Sequence, residues 1–455
     1  MNGDRRGKDL AKGPIGRTIF FLAAPIVLGM FLQTAFNIID TFYVGMLGSE
    51  QLAAISVTFP VVFIFIAIAV GLAVGTTALV SQALGARKHD DASNIAEHSL
   101  LAAVLVGIAV AVFGIMFSPP LFEFMGVHGE ILQMTVAYAN LIFVGFMFLF
   151  IGFLSQGIIQ AGGDSKTPTR NLAVSVIANI ILDPIFIFGF GPVPAMGLVG
   201  AGWATIISRS LGASLNVSHL LRGKSAVRIE PRCFCFTPSI LKRIFMIGWP
   251  SSLSQSINSI GMILLTSLVG TFGVGALAAF GVGIRLESLA IMPLVGLGNA
   301  VVPFIGQNIG AGKMNRVKKC VSLTSYAAIL FMLLIMSIWY FAPQVLFSPF
   351  TSDAEVLSIG TEYFQIISLG YIFMGLVFIT GAAFQAAGRT TLQMLINIFR
   401  WSVTLSVAYW LVGGMGISGI WWGFPIGNVL GFVVFMIFLR SGFWLRKWEG
   451  KTSDT

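Results

Sequence analysis

Residues 52–88, LAAISVTFPVVFIFIAIAVGLAVGTTALVSQALGARK, return in outline at 277–313 as LAAFGVGIRLESLAIMPLVGLGNAVVPFIGQNIGAGK. At a constant offset of 225, Leu52-Ala53-Ala54 meets Leu277-Ala278-Ala279, and Gln82, Gly85, Ala86 and Lys88 meet Gln307, Gly310, Ala311 and Lys313. The correspondence extends outward in both directions. Pro25 meets Pro250 and Gly45 meets Gly270; Tyr138 and Gly145 meet Tyr363 and Gly370; Gln160-Ala161 and Gly163 meet Gln385-Ala386 and Gly388. After a shorter loop the offset becomes 219, and Gly197, Gly200 and Trp203 meet Gly416, Gly419 and Trp422. Two apolar sequences share leucine and alanine by chance. They do not share proline, glutamine, tyrosine and lysine in register, so the chain is an internal duplication.

Each copy is made of membrane-spanning helices. Hydrophobic residues make up 56% of the chain and charged residues 10%, against about a quarter charged in a soluble domain. Mean hydropathy is +0.90. The apolar blocks run roughly 20–30 residues, the length a helix needs to cross about 30 Å of hydrocarbon. Lipid offers the backbone no hydrogen-bond partner, and barrel-type alternation is absent, so the blocks are expected to be helical. Spans are placed at 18–44, 52–80, 96–117, 132–160, 169–190 and 197–221, then at 244–271, 277–306, 320–342, 358–386, 391–413 and 416–440. The expected fold is therefore an all-α integral membrane protein of twelve helices. The organisation reads as an N-terminal tail 1–17, a first lobe 18–221, a linker 222–243, a second lobe 244–440 and a C-terminal tail 441–455. Six helices per copy is an even number. The two bundles are thus parallel and related by a pseudo-two-fold axis along the membrane normal. The first span lacks a cleavage site and reads as a retained helix.

Lysine and arginine set the orientation. Arg5, Arg6, Lys8, Lys12 and Arg17 precede the first span, and Arg87, Lys88, Lys166 and Arg170 follow spans two and four. Arg222, Lys224, Arg228, Arg232, Lys242 and Arg243 fill the linker. The same side is assigned Lys313, Arg316, Lys318, Lys319, Arg389, Arg400, Arg440, Arg446, Lys447 and Lys451, while the opposite loops hold acids such as Glu50, Glu123, Glu130, Asp353 and Glu355. The positive-inside rule places both termini in the cytoplasm of a multi-pass, prokaryotic cell-membrane protein. The net charge of +9 is a topology signal rather than a sign of nucleic acid. Cys233 and Cys235 have no histidine nearby and make a poor zinc site.

Ionisable residues inside spans are costly, and each is a candidate for function. They are Asp40, Asp183, Arg209, Arg285 and Glu287. Asp40 and Asp183 have no acidic equivalents in the second copy, which points to a task belonging to the first lobe. Gln33, Asn37 and Asp40 share one helix face by spacing, as do Ser175, Asn179 and Asp183. Two facing carboxylates flanked by amide and hydroxyl oxygens could hold sodium, or share a proton because close carboxylates resist ionising together. Arg285 and Glu287 lie on different faces of one helix, where a salt bridge to another helix and a substrate or gating role are equally open. Arg209 reads as a partner for a first-lobe carboxylate or carbonyl. Pro25 interrupts the first helix about four turns below Asp40, as a hinge or a static kink.

FNIIDTFYVG at 36–45, ANIILDPIFIFG at 178–189 and GLVGAGWAT at 197–205, taken with the repeat, resemble the multidrug and toxic compound extrusion (MATE) family over essentially the whole chain. The resemblance is strongest to its DinF-like branch. It implies twelve helices in two lobes and export of cationic or amphipathic drugs and toxic organic cations against proton or sodium entry. It maps a coupling site, which could take Na+, onto Asp40, Asn179, Asp183 and Thr205, with Pro25 as the bending point. The NorM-like branch carries acids in helices seven and ten. Here helix seven has none and helix ten only Glu362 at its outer end, which argues against a second-lobe cation site.

The expected function is secondary active multidrug efflux by alternating access, with H+ or Na+ as coupling ion, no cofactor and no enzymatic activity. The expected partners are small-molecule drugs and the lipid bilayer, with no nucleic acid and a monomeric assembly. The alternative is a flippase for a lipid-linked oligosaccharide or peptidoglycan precursor. A membrane enzyme lacks a catalytic cluster, since His89, His98 and His219 lie near one face and His128 in a loop on the other. No phosphate-binding GxxxxGK[ST] loop supports an ATP-driven pump.

Overall fold

The computed structural model describes residues 9–230 and 234–445. Arg5, Arg6, Lys8, Arg232, Cys233, Arg446, Lys447 and Lys451 lie outside the described residues. The first lobe comprises α1 (Ile15–Gly45), α2 (Ser49–Gly85), α3 (His89–Phe124), α4 (Gly129–Ala161), α5 (Lys166–Phe188) and α6 (Gly197–Leu221). The second comprises α7 (Pro238–Gly270), α8 (Val274–Gly310), α9 (Met314–Phe341), the short α10 (Pro343–Phe347), α11 (Ala354–Ile367), α12 (Tyr371–Ala386), α13 (Thr390–Met415) and α14 (Ile417–Arg440). A 3-10 turn at Ser368–Gly370 joins α11 to α12, so these two cross as one span.

Eleven of these spans are long and apolar enough to cross a membrane unaided. The twelfth, α6, is less apolar because it carries Arg209 and several serines and glycines. It packs closely against α5: a Cβ at Gly212 would stand 3.2 Å from that of Ser175. Most helices begin a few residues before the apolar blocks, as α3 does at His89 rather than 96, because hydropathy marks the lipid-facing length and not the hydrogen-bonded ends. Arg400 needs correction. It lies ten residues inside α13, about 15 Å along the axis, and not on the loop side to which its charge had assigned it.

The repeated Gln160-Ala161 and Gln385-Ala386 motifs end helices. Gly163 (φ +83°) and Gly388 (φ +73°) take the left-handed conformation there, and each N–H returns to the glutamine carbonyl at 2.9 Å.

The lobes meet along a seam on the side that carries both ends of the described chain, where Leu10, Trp444 and Leu445 share one apolar cluster. The seam uses the repeat reciprocally. Gln82 Nε2 donates to Ala386 O (2.6 Å), and its equivalent Gln307 donates to Ala161 O (2.7 Å). Gly85 and Gly310 let the backbones touch. A Cβ on Gly85 would stand 2.7 Å from the Gln307 carbonyl carbon, and one on Gly310 would stand 2.8 Å from Ala86 N. The N-terminal segment crosses to the other lobe: Gln307 Oε1 accepts from Leu10 N (2.9 Å), and Lys313 Nζ donates to Ala11 O (2.8 Å). The linker returns to α3, where His98 Nε2 accepts from Thr237 N (2.7 Å).

Candidate functional site

The first lobe encloses a cavity of about 250 Å³ between α1, α2, α4 and α6. Gln33, Asn37 and Asp40 line it together, as their i, i+4, i+7 spacing requires. Thr205 and Arg209 of α6 and Tyr138 of α4 line it as well. Thr205 Oγ1 donates to Asp40 Oδ1 at 3.5 Å, the limit of a hydrogen bond. The Arg209 guanidinium sits 5.3 Å over the Phe36 ring and acts electrostatically on Asp40. Its Nε is buried without a hydrogen-bond partner among the described residues.

Asp183 of α5 is fully buried and is not among the residues that line this cavity. Asn179 Nδ2 donates to Asp183 Oδ1 (3.0 Å). The remaining oxygens, Asn179 Oδ1 and Asp183 Oδ2, are buried with no hydrogen-bond partner among the described residues. Each such orphan costs about 1–3 kcal/mol, more if charged. A proton on Asp183 or a hard monovalent cation between these oxygens would remove that cost. The donor set is oxygen throughout, which suits either.

Ser175 does not join the site. Its hydroxyl donates to Ser208 O (2.6 Å) and stitches α5 to α6. Tyr138, by contrast, has no role suggested by its sequence position, yet it lines the same cavity as Asp40 and Arg209. Its repeat equivalent Tyr363 lies beside Glu287 in the second lobe. The match between these tyrosines was the available signal.

Around Pro25 the α1 backbone is held by α5. Proline has no N–H to offer the carbonyl of Phe21, and Ser165 Oγ donates to that oxygen instead, at 3.4 Å. Thr169 Oγ1 donates to Pro25 O (2.8 Å). The helix that bears Asn179 and Asp183 thus also grips the interruption in the helix that bears Asp40.

In the second lobe Glu287 is buried and accepts from Tyr371 Oη (2.7 Å), while Arg285 on the other face of α8 is exposed. Both Glu287 and Arg400 line a second cavity, of about 340 Å³.

Comparison with known proteins is consistent with this layout. The MatE family model matches residues 25–185 and 250–410, the two copies of the repeat. The chain is 30% identical over 434 residues to the FAD transporter of Shewanella oneidensis, covering 94% of each. It is 30% identical over 423 residues to the probable multidrug resistance protein YoeA of Bacillus subtilis, covering 91% of each. A crystal structure of MATE in the bent conformation superposes with a TM-score of 0.91 at 29% identity, covering 100% of both chains. Its members are transporters and not enzymes, and with both repeats matched the chain belongs to the MatE family.

Proposed function

We propose that this transporter exports small amphipathic and cationic compounds by antiport, with a proton or sodium ion binding at Asp40, Asn179, Asp183 and Thr205. The observation that carries the reading is the pair of oxygens, Asn179 Oδ1 and Asp183 Oδ2, buried without a hydrogen-bond partner among the described residues, one of them on a carboxylate that, like Asp40, has no acidic equivalent in the second lobe. The positive-inside bias puts the seam at the cytoplasm, so this structure is the state closed to the inside. Drug would be taken up when the seam parts. A cation arriving from outside would then neutralise the acid pair and favour a bend of α1 at Pro25, against Ser165 and Thr169, that empties the first-lobe cavity. One charge moving inward through 100 mV supplies about 2.3 kcal/mol, or roughly fiftyfold accumulation. The chain works as a monomer of two lobes without a cofactor, and the cytoplasmic linker expected at 222–243 ends at Thr237, since α7 begins at Pro238.

Drug uptake into proteoliposomes under separately imposed proton and sodium gradients tests this directly. One gradient should drive transport, and Asp40→Asn should abolish that drive while leaving downhill drug flux. Gradient-driven transport at the wild-type rate in Asp40→Asn would refute the coupling site.

A further inference from the structure

The second-lobe cavity holds a cation with no counter-ion among the described residues. The Arg400 guanidinium is bound by three neutral amides from three helices. Asn397 Oδ1 accepts from Nε and Nη2 (3.1 and 3.0 Å), Asn258 Oδ1 from Nη2 (3.0 Å), and Asn428 Oδ1 from Nη1 (3.2 Å). No carboxylate among the described residues stands within salt-bridge distance of it. Glu287, the one acid lining the same cavity, is engaged by Tyr371 instead.

The amides are themselves fixed. Asn397 Nδ2 donates to Ser254 O (2.9 Å) and to Asn258 Oδ1 (3.0 Å), and Trp401 Nε1 donates to Asn258 Oδ1 (2.8 Å). Asn258 Oδ1 therefore faces three donors and has no capacity left to offset the charge. Gly431 makes room, since a Cβ there would stand 3.0 Å from Arg400 Cγ. Repeat equivalence sharpens the point: at offset 225 the first-lobe counterpart is the uncharged Ser175.

An arginine keeps its charge at any physiological pH. A partly buried charge dressed only by amide dipoles and one aromatic face, the Trp401 ring 5.1 Å from the guanidinium carbon, is incompletely compensated. Guanidinium geometry suits one ligand class above others, a carboxylate or phosphate. Beside it stand aromatic walls, Trp401 and Phe424, with rings 6.2 Å apart.

We propose that the second-lobe cavity is a binding site for the carboxylate or phosphate oxyanion of an amphipathic molecule, with Arg400 as its charge partner and Asn258, Asn397 and Asn428 as the residues that aim it. The inference rests on the transporter reading only in taking the occupant to be cargo or lipid. It does not depend on cation coupling.

The test is equilibrium binding to the full chain in phosphatidylcholine nanodiscs, with riboflavin 5′-phosphate and riboflavin as a pair differing by one phosphate. The phosphate should strengthen binding about tenfold, and Arg400→Gln should erase that preference. Asn428→Asp gives a second, nearly isosteric variant that supplies the missing counter-ion without removing the arginine. It should erase the preference as well, while the thermal midpoint holds or rises. Asp40→Asn should leave the preference intact, which separates this site from the coupling site. Equal affinity for the two flavins in the unmodified protein would overturn the proposal. So would a preference that survives Asn428→Asp, because Arg400 would then be a tie between helices and nothing more. Substituting phosphatidylglycerol in the nanodiscs identifies the source: competition with the flavin phosphate assigns the oxyanion to a lipid headgroup, and its absence to a solute.

Discussion

Replacing Gly310 with alanine should unlock the seam. The new Cβ would stand 2.8 Å from Ala86 N and 2.9 Å from the Gln82 carbonyl carbon, against about 3.5–4.0 Å for a relaxed contact. The two backbones must therefore separate by roughly 1 Å. Overpacking of this kind costs about 1–3 kcal/mol. The separation also loosens the reciprocal bonds of Gln82 and Gln307, worth about 1 kcal/mol each. The penalty exists only while the lobes are in contact here, so the state with the seam parted escapes it. A bias of about 2–5 kcal/mol shifts the population some thirtyfold to several thousandfold. Ser81 is fully buried at the seam against Gly306. In a background with Cys233, Cys235 and Cys320 replaced, Ser81→Cys reports opening through its rate of maleimide labelling. Gly310→Ala should raise that rate at least about thirtyfold, and Gly85→Ala should act in the same direction because the contact is reciprocal. An unchanged rate in Gly310→Ala, or opposite effects in the two variants, would refute the reasoning.

Pro25→Ala supplies the N–H that the Phe21 carbonyl lacks, which displaces Ser165 and restores the helical ladder of α1. Drug affinity should stay within about twofold while turnover falls about tenfold or more, measured as counterflow against binding. Asn171→Ala removes the donor that holds Asn216 Oδ1 at 2.8 Å inside the first lobe. The orphaned amide should lower stability by about 1–3 kcal/mol, read as a drop in the thermal midpoint in detergent. His98→Ala takes away the acceptor for Thr237 N and the ring flanked by Phe234 at 4.9 Å and Phe236 at 5.8 Å. Limited proteolysis between Arg222 and Thr237 should speed up several-fold, with the helical core uncut.

Local chemistry determined much of this protein before any packing was known. Blocks of apolar residues long enough to cross lipid must be helical, because an unpaired backbone is too costly there. An even number of them in each copy fixes the two lobes as parallel. The shared face of Gln33, Asn37 and Asp40 follows from helical period alone, and all three line one cavity. Ser175 shares a helix face with Asn179 and Asp183 at i, i+4, i+8 yet turns to Ser208. Period groups residues on a face; only the packing of α5 on α6 decides where each side chain points. Arg400 shows the same boundary. Its charge resembled a loop signal, although the expected span 391–413 already contained it, and hydropathy averaged over a window does not resolve one polar residue inside a helix. What makes it tolerable there is a set of asparagines at 258, 397 and 428, far apart in the chain and joined only when α7, α13 and α14 pack. The matched glutamines and glycines at 82, 85, 307 and 310 were visible as a repeat. Their meaning came from docking the two copies face to face, since a reciprocal contact is a property of the pair and neither lobe contains it alone.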